Sequence, residues 1–361
     1  MDSLNGTEKP SKFWSGEDDW LDVSEFLDEK YGFLPVVVPI TEPAVGYGGA
    51  GGLLFISKPL GNVRTGYERP DLTFVGGAAT ENGTRGVAAG DMRYWMDGRI
   101  QSLAGVVCAS VNLDFHGIGE DGRLNDHPLG YTLEPKGGGV QGKYRMGNSR
   151  LWLGLSYVYA VTNVSFDEPE RPGLPEFERD SDVGGVTPSL TFDTRDNIFT
   201  PSCGTYVEAS LGLFGAALGS DDSFQRARLI AMQFIPLGKQ LFLGIRGEAG
   251  ASFNDAPFYL RPFIYLRGAP IMRYQGEEAA QIEAELRWQF WKRFSLVGFS
   301  GCGAAWNDFE RVESAQSIVT GGAGLRYEIA RQYGLHMGFD VAFAPENTAF
   351  YIQVGSAWAR P

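Results

Sequence analysis

The chain has 361 residues, and 31 Lys and Arg against 44 Asp and Glu give it a formal net charge of −13. An acidic excess of this size repels phosphate backbones, so we expect no nucleic-acid partner. The 43% of hydrophobic residues argue against a disordered chain, and 49 glycines with 13% aromatic residues are typical of strands that bend and of rings that gather at a membrane interface.

The first 32 residues are predicted to lie outside the main fold. Residues 1–20 are polar and acidic and have neither the basic nor the apolar region of a signal peptide, so we expect none in this sequence, and residues 1–14 are expected to be a flexible leader. Ser15 can cap a helix over 15–32, where large apolar residues recur at helical spacing: Trp20, Val23, Phe26, Leu27 and Tyr31. This pattern predicts an amphipathic helix of about four turns, either docked on the rest of the fold or serving as a plug or interfacial helix.

From residue 33 onward the dominant hydrophobic period is two. In 281–290 one face carries Ile282, Ala284, Leu286, Trp288 and Phe290, and the other carries Gln281, Glu283, Glu285, Arg287 and Gln289. Such segments have about ten or more residues, the length that crosses a bilayer as a tilted strand, whereas strands of soluble sandwiches are usually shorter. Charged residues in the middle of the polar face fit a water-filled lumen.

Sixteen such segments can be counted, an even number as in bacterial single-chain barrels. The sixth and the eighth are predicted at 137–147 and 183–194. Long polar connections such as 254–278 alternate with short turns, which is typical of outer-membrane barrels, and no apolar run is long enough for a transmembrane helix. The sequence predicts an all-β protein, a transmembrane antiparallel β-barrel of about 16 strands over 33–361, in the outer membrane of a Gram-negative bacterium.

The first and last strands are predicted to meet in a weak seam. Pro35 and Pro39 flank Val37 in the first strand, and proline cannot donate a hydrogen bond to a ladder. The last segment, 348–358, is predicted to face outward with Phe350, Ile352, Val354 and Trp358. Poor pairing here would let the barrel open sideways into lipid; alternatively, the prolines only end a strand that starts later.

Three segments carry longer motifs. The stretch 191–206 contains a D-x-R-D…P-x-x-G pattern, formed by Asp193, Arg195, Asp196, Pro201 and Gly204. The stretch 266–277 has an apolar residue followed by Arg267 and Gly268, and 34–48 runs from Leu34-Pro35 to Gly46-Tyr47-Gly48. These resemble, in turn, the turn between barrel strands 8 and 9, the sixth-loop motif and the barrel entry of the BamA/TamA family of bacterial surface antigens. The resemblance covers 33–358.

The resemblance implies that loop 254–278 folds into the lumen and is held there by Arg267. In the family this arginine contacts acids on strands 12 and 13, and here the strand-12 acid that matches the motif is Glu285, with Glu283 on the same face. The strand-13 motif has Gly301 where the family usually has Asp. One expected partner is therefore missing, and Glu283 is the candidate substitute.

We expect no enzymatic activity, no cofactor and no metal. Residues 46–51 match a dinucleotide-binding glycine pattern, but a strand follows where that site needs a helix, so bending glycines explain the pattern better. No metal or catalytic spacing joins the three histidines, His116, His127 and His336. The inward arginines, such as Arg246, Arg287 and Arg326, either tune ion selectivity or form a wall ladder with Glu248, Glu283, Glu285 and Glu328.

The function implied by the resemblance is insertion or translocation of protein or lipid through the seam. Partners would be outer-membrane lipids, client proteins or lipids, and periplasmic or outer-membrane proteins. Only about 32 residues precede the first strand, too few for a POTRA domain, so we expect a short branch of the family without that arm. Two rival functions stay open, a passive pore for small solutes and a structural or partner-binding barrel, and the sequence assigns neither the substrate nor the oligomeric state.

Overall fold

The computed structural model describes residues 13–27, 33–57, 69–117, 128–166, 178–307, 315–345 and 347–358. Most of the leader and residues 28–32 of the expected helix therefore lie outside the described residues. Within the described ranges, no helix is long and apolar enough to span a membrane, a finding that does not bear on strands.

Sixteen antiparallel strands form one sheet in which each strand pairs with its neighbours in the sequence, from β1 to β16. The first eight are β1 Leu34–Ile40, β2 Gly48–Ser57, β3 Asp71–Thr80, β4 Arg85–Trp95, β5 Ile100–Phe115, β6 Leu129–Arg145, β7 Leu151–Phe166 and β8 Glu178–Asp193. The second eight are β9 Gly204–Phe214, β10 Phe224–Pro236, β11 Leu241–Phe253, β12 Glu278–Trp291, β13 Phe294–Trp306, β14 Gln316–Ala330, β15 Leu335–Phe343 and β16 Thr348–Val354. The expected barrel fold and strand number are confirmed.

The alternation predicted along the strands is realised as two different surfaces. On β12, Ile282 and Trp288 are each 50% exposed, whereas Glu283 is 2% exposed. Apolar side chains thus cover the outside, where lipid replaces water as the solvent, and charged side chains face the lumen.

The two ends of the barrel differ in their connections. The two-residue turn between β12 and β13 marks one end, which we call the turn end. The long connection between β11 and β12 marks the other, the loop end. Towards the loop end β6 and β8 start earlier than 137 and 183, at Leu129 and Glu178, because strand pairing continues beyond the segments that alternate clearly.

The expected helix over 15–32 is wrong for most of its described length. Only α1, Ser24–Leu27, is helical, and Trp14 pairs with Leu21 in an isolated β-bridge. The apolar residues of this segment make tertiary contacts instead of forming one face of a helix. The Trp20 ring, for example, packs outside the barrel with its centroid 5.0 Å from that of the Trp291 ring.

A buried apolar cluster packs across the turn end. It joins Leu27 of α1 to side chains from strands on several sides of the barrel and from the connection between β8 and β9. Its other members are Val23, Leu34, Ile56, Met92, Tyr94, Trp152, Ile198, Phe199, Ala330, Tyr333 and Leu335. Close apolar packing therefore fills this end of the lumen.

Candidate functional site

The connection between β11 and β12 reaches the inner wall through Arg267. The Arg267 guanidinium lies 2.8 Å from Glu283 (Nε to Oε1), 2.7 Å from Glu285 (Nη1 to Oε2) and 2.9 Å from Asp340 (Nη1 to Oδ2). The contacts to Glu283 and Asp340 are hydrogen bonds, while that to Glu285 is an ion pair without hydrogen-bond geometry. We call Arg267 and these three carboxylates the loop anchor.

Asp340 of β15 is the member of the loop anchor that the sequence did not assign. Its second partner is Arg326, which donates to both carboxylate oxygens at 2.6 and 2.8 Å. One buried aspartate therefore joins a wall arginine of β14 to the loop arginine, and both bonds are charge-assisted. The available signal was the alternation of β15, which places Asp340 on the lumen face.

The departure at Gly301 has a structural counterpart. A Cβ at Gly301 would lie 2.9 Å from Cδ2 of Leu266, so the loop packs into the space that an aspartate would fill. Two residues away on the same face, the Phe299 ring lies under Arg267, with the guanidinium carbon 3.6 Å from the ring centroid. A cation–π contact and Asp340 thus stand where the resemblance implied a strand-13 acid.

The same loop also touches both edges of the sheet. Gly268 N donates to Tyr351 Oη of β16 at 2.9 Å, and Ile271 N donates to Oε1 of Glu42, just after β1, at 3.1 Å. Gly268 has a φ of +92°, a backbone conformation that disfavours side chains and that turns the chain from the anchor towards the seam. No feature of the sequence predicted that Glu42 and Tyr351 bind the backbone of this loop.

The chain after β16 turns into the lumen, so the expected outward position of Trp358 is wrong. Gly355, with a φ of +82°, ends the alternation, and Trp358 is 5% exposed. Its ring packs with Tyr206 and Phe234 on the wall, and its Nε1 donates to Glu283 Oε2 at 2.5 Å. The segment after β16 is therefore bonded to the carboxylate that also holds Arg267.

The edges β1 and β16 lie side by side, and the hydrogen bonds between them are found near the loop end. Thr41 Oγ1 donates to the Phe350 carbonyl, and Phe350 N donates back to Thr41 Oγ1 at 2.8 Å. In the described chain no ladder joins β1 to β16. Pro35, Val37 and Pro39 face outward, and Val37 is 76% exposed.

The turn motif between β8 and β9 lies at the turn end and not at the seam. Arg195 donates to both oxygens of Asp193 at 3.0 Å, and Asp196 accepts from Ser202 N at 2.9 Å. Pro201 and Gly204 complete this connection, which leads into β9. The motif positions Ile198 and Phe199 in the apolar cluster, so it shapes the closed end of the lumen.

The segment before α1 is fastened to the turn between β12 and β13. Arg293 donates to both carboxylate oxygens of Asp18 at 2.9 Å and to Asp22 Oδ2 at 2.9 Å. The hydrogen bond from Arg293 is the main cause that lowers the pKa of Asp18 to about 2. For Asp22, burial by itself raises the pKa, but bonds from Ser24 and Arg293 hold it below its usual value.

We expect this segment to detach in acid. Because folding depresses both carboxyl pKa values, the stabilisation is complete above about pH 5, where both acids are ionised in either state, and is lost as pH falls towards 2. Pepsin should cleave after Phe13 or Phe26 in wild type at pH 2 but not at pH 4. Asp18→Asn should make the segment sensitive already at pH 4, and equal resistance of wild type at both pH values would contradict this assignment.

A sequence model described as the Omp85 superfamily domain matches residues 124–358. The chain belongs to the Omp85 superfamily. This confirms the resemblance that the motifs indicated, and no curated protein sequence matches the chain.

Solved structures of Omp85 barrels support the same fold. BamA from Haemophilus ducreyi lacking POTRA domains 1–3 is 11% identical with a TM-score of 0.57, and the match covers 90% of this chain and 70% of that one. CdiB from Escherichia coli is 12% identical with a TM-score of 0.61, covering 92% and 69%. CdiB from Acinetobacter baumannii is 11% identical with a TM-score of 0.59, covering 90% and 60%. The superfamily and these neighbours point to a Gram-negative outer membrane.

Proposed function

We propose that this Omp85 barrel inserts or translocates protein or lipid by opening between β1 and β16. The observation that carries the proposal is the contrast between fifteen strand neighbours joined by ladders and one pair, β1 and β16, that no ladder joins in the described chain; there the hydrogen bonds run through the side chains of Thr41 and Glu42, just after β1, to Phe350 and Tyr351. No catalytic step is needed, because a client that folds in the bilayer releases its own folding free energy.

The physical reason is the behaviour of a sheet edge in hydrocarbon. Edge strands carry backbone N–H and C=O groups without partners, and each such group costs several kcal/mol when water is absent. A client strand that adds to the edge satisfies these groups through main-chain hydrogen bonds. Pro35 and Pro39 lack the N–H donor, and β1 and β16 have only seven residues each, so little must be broken for them to part.

The resting closure is supported by contacts inside the lumen. The loop anchor holds Arg267, Gly268 bonds Tyr351 of β16, and Trp358 bonds Glu283. These contacts keep β16 near the wall without sealing the two edges. We propose that opening separates the edges while the loop anchor keeps the loop in the lumen.

Two features disfavour the rival passive pore. The apolar cluster packs across the turn end, and the loop between β11 and β12 occupies the lumen on the side of the loop end. Ion and solute flow would require displacing both.

The test is a reconstituted insertion assay. Purified protein in phosphatidylcholine vesicles is given a urea-unfolded eight-stranded outer-membrane barrel, and folding is followed by its resistance to protease. We expect folding at least ten times faster than in empty vesicles. A rate equal to that in empty vesicles, together with steady ion conductance in planar bilayers, would favour the pore.

A further inference from the structure

A cavity of about 560 Å³ lies inside the barrel on the wall formed by β8 to β12. Residues Pro262 to Tyr265 of the loop close one side, and Ala357 and Trp358 close another. This volume is in the range of pockets that hold small organic ligands. Its arginines lie on β10 and β11, away from the seam, although Trp358 borders both the cavity and the closure described above, so a ligand here goes beyond the proposed function.

Three arginines and a single carboxylate among the described lining residues set the charge of the cavity. Glu248 accepts from Arg228 Nε at 2.6 Å through one oxygen and from Arg246 Nη2 through the other. Arg226 has no hydrogen bond or ion pair with the described residues. The lining therefore carries two more positive than negative charges.

The neighbours of the arginines on adjacent strands are small, and the Phe214 ring and Pro262 cover two of them: a Cβ at Gly212 would lie 2.8 Å from the ring, and one at Gly250 would lie 3.2 Å from Pro262 Cβ. Arg226 lies opposite Gly212 of β9 and Ser252 of β11, and Arg228 lies opposite Ser210 and Gly250. Arg246 is 3% exposed, and its Nε is buried without a hydrogen-bond partner. A buried donor without a partner is costly unless a ligand or water satisfies it.

The cavity lining also contains aromatic rings, which we call the aromatic side; one of them, Phe214, lies beside the glycine that pairs with Arg226. The lining includes Phe214, Phe263, Tyr265 and Trp358. Guanidinium groups bind carboxylates and phosphates through paired hydrogen bonds, while rings bind apolar bodies. A ligand with an anionic group and an apolar body could therefore bind the arginines and the aromatic rings at the same time.

We propose that this cavity binds a small amphipathic anion, with a carboxylate or phosphate group at Arg226 and an apolar body against the aromatic side. The anion adds negative charge to that of Glu248 and of Glu283, which lies 3.9 Å from Arg246 (Oε2 to Nη1). Its charge-assisted bonds form with Arg226, which has no partner among the described residues.

Calorimetry with 1-naphthyl phosphate tests the proposal. Protein in phosphatidylcholine nanodiscs is titrated, and heats from empty nanodiscs are subtracted to remove partition into lipid. We expect saturable one-to-one binding, and at least tenfold weaker binding of both 1-naphthol and inorganic phosphate. Absence of saturation at millimolar probe, or equal binding of inorganic phosphate, would overturn the proposed ligand class.

Variants locate the site. Arg226→Gln should weaken binding of the probe at least tenfold. The matched control is Arg150→Gln, which removes the same charge from an exposed turn at the turn end and should change binding less than twofold. Ser210→Asp adds a carboxylate to the lining without removing an arginine and should weaken binding as strongly, which decides the question if Arg226→Gln does not fold. Equal losses in Arg226→Gln and Arg150→Gln would show a general charge effect and overturn the site.

Discussion

A disulfide between Val37→Cys and Val354→Cys is expected to abolish insertion activity. The background should lack the native cysteines, Cys108, Cys203 and Cys302. Oxidised protein should fall at least tenfold in client folding rate, towards the rate in empty vesicles, and reduction should restore it. The cause is that a covalent bond across the seam prevents a client strand from reaching either edge.

The choice of this pair follows from the contact between Thr41 and Phe350. Continued down two antiparallel strands, this register sets Val37, which is exposed, opposite Val354, which is half-buried and packs against the apolar cluster of the turn end. The matched control joins Phe339→Cys to Ile352→Cys, which are paired neighbours in the β15–β16 ladder. That crosslink should leave the rate unchanged, and full activity of the oxidised seam variant would contradict lateral opening.

Replacing Arg267 is expected to release the loop from the lumen. Arg267→Ala removes the only cation of the loop anchor while Glu283, Glu285 and Asp340 stay close together on the wall. Removing one partner of a buried ion pair typically costs about 3–5 kcal/mol. Here Asp340 would keep Arg326, but Glu283 and Glu285 would lose the cation that lies between them. We therefore expect chymotrypsin to cut the loop near Tyr259 and Tyr274 in the variant and to leave wild type intact.

Two further variants separate anchoring from loss of charge. Arg267→Lys keeps the charge but loses the planar fork and the stacking on Phe299, so cleavage should be intermediate. Arg261→Ala removes a cation of the same loop whose ion pair with Glu277 is longer, at 3.5 Å, and should have little effect. Equal resistance of Arg267→Ala and wild type would remove the anchoring role.

The strands were predictable because alternation is a local property. Lipid outside and water inside impose a period of two on each strand separately, so Ile282 and Glu283 could be assigned to opposite faces from neighbouring residues alone. The glycine at 355 shows where this reasoning stops. The alternation along the sequence predicted that Trp358 faces outward, but the backbone turn at Gly355 directs its indole into the lumen.

The site was predictable only in part because its members are distant in the sequence. Arg267 and its acids on β12 came from a motif, whereas Asp340 lies 73 residues from Arg267 and had only its lumen-facing position as a signal. The helix prediction for the N-terminal segment was wrong for a similar reason. Asp18, Asp22 and Trp20 are held by Arg293 and Trp291, and these tertiary contacts outweigh a weak helical preference.

The spin–spin distance between nitroxides at Val37→Cys and Val354→Cys, measured in nanodiscs on the cysteine-free background, tests lateral opening most directly. The account predicts a broad distribution with a second, longer population, while labels at Phe339→Cys and Ile352→Cys give one narrow peak. A seam distribution as narrow as that of the ladder pair, with or without an unfolded client present, would contradict it.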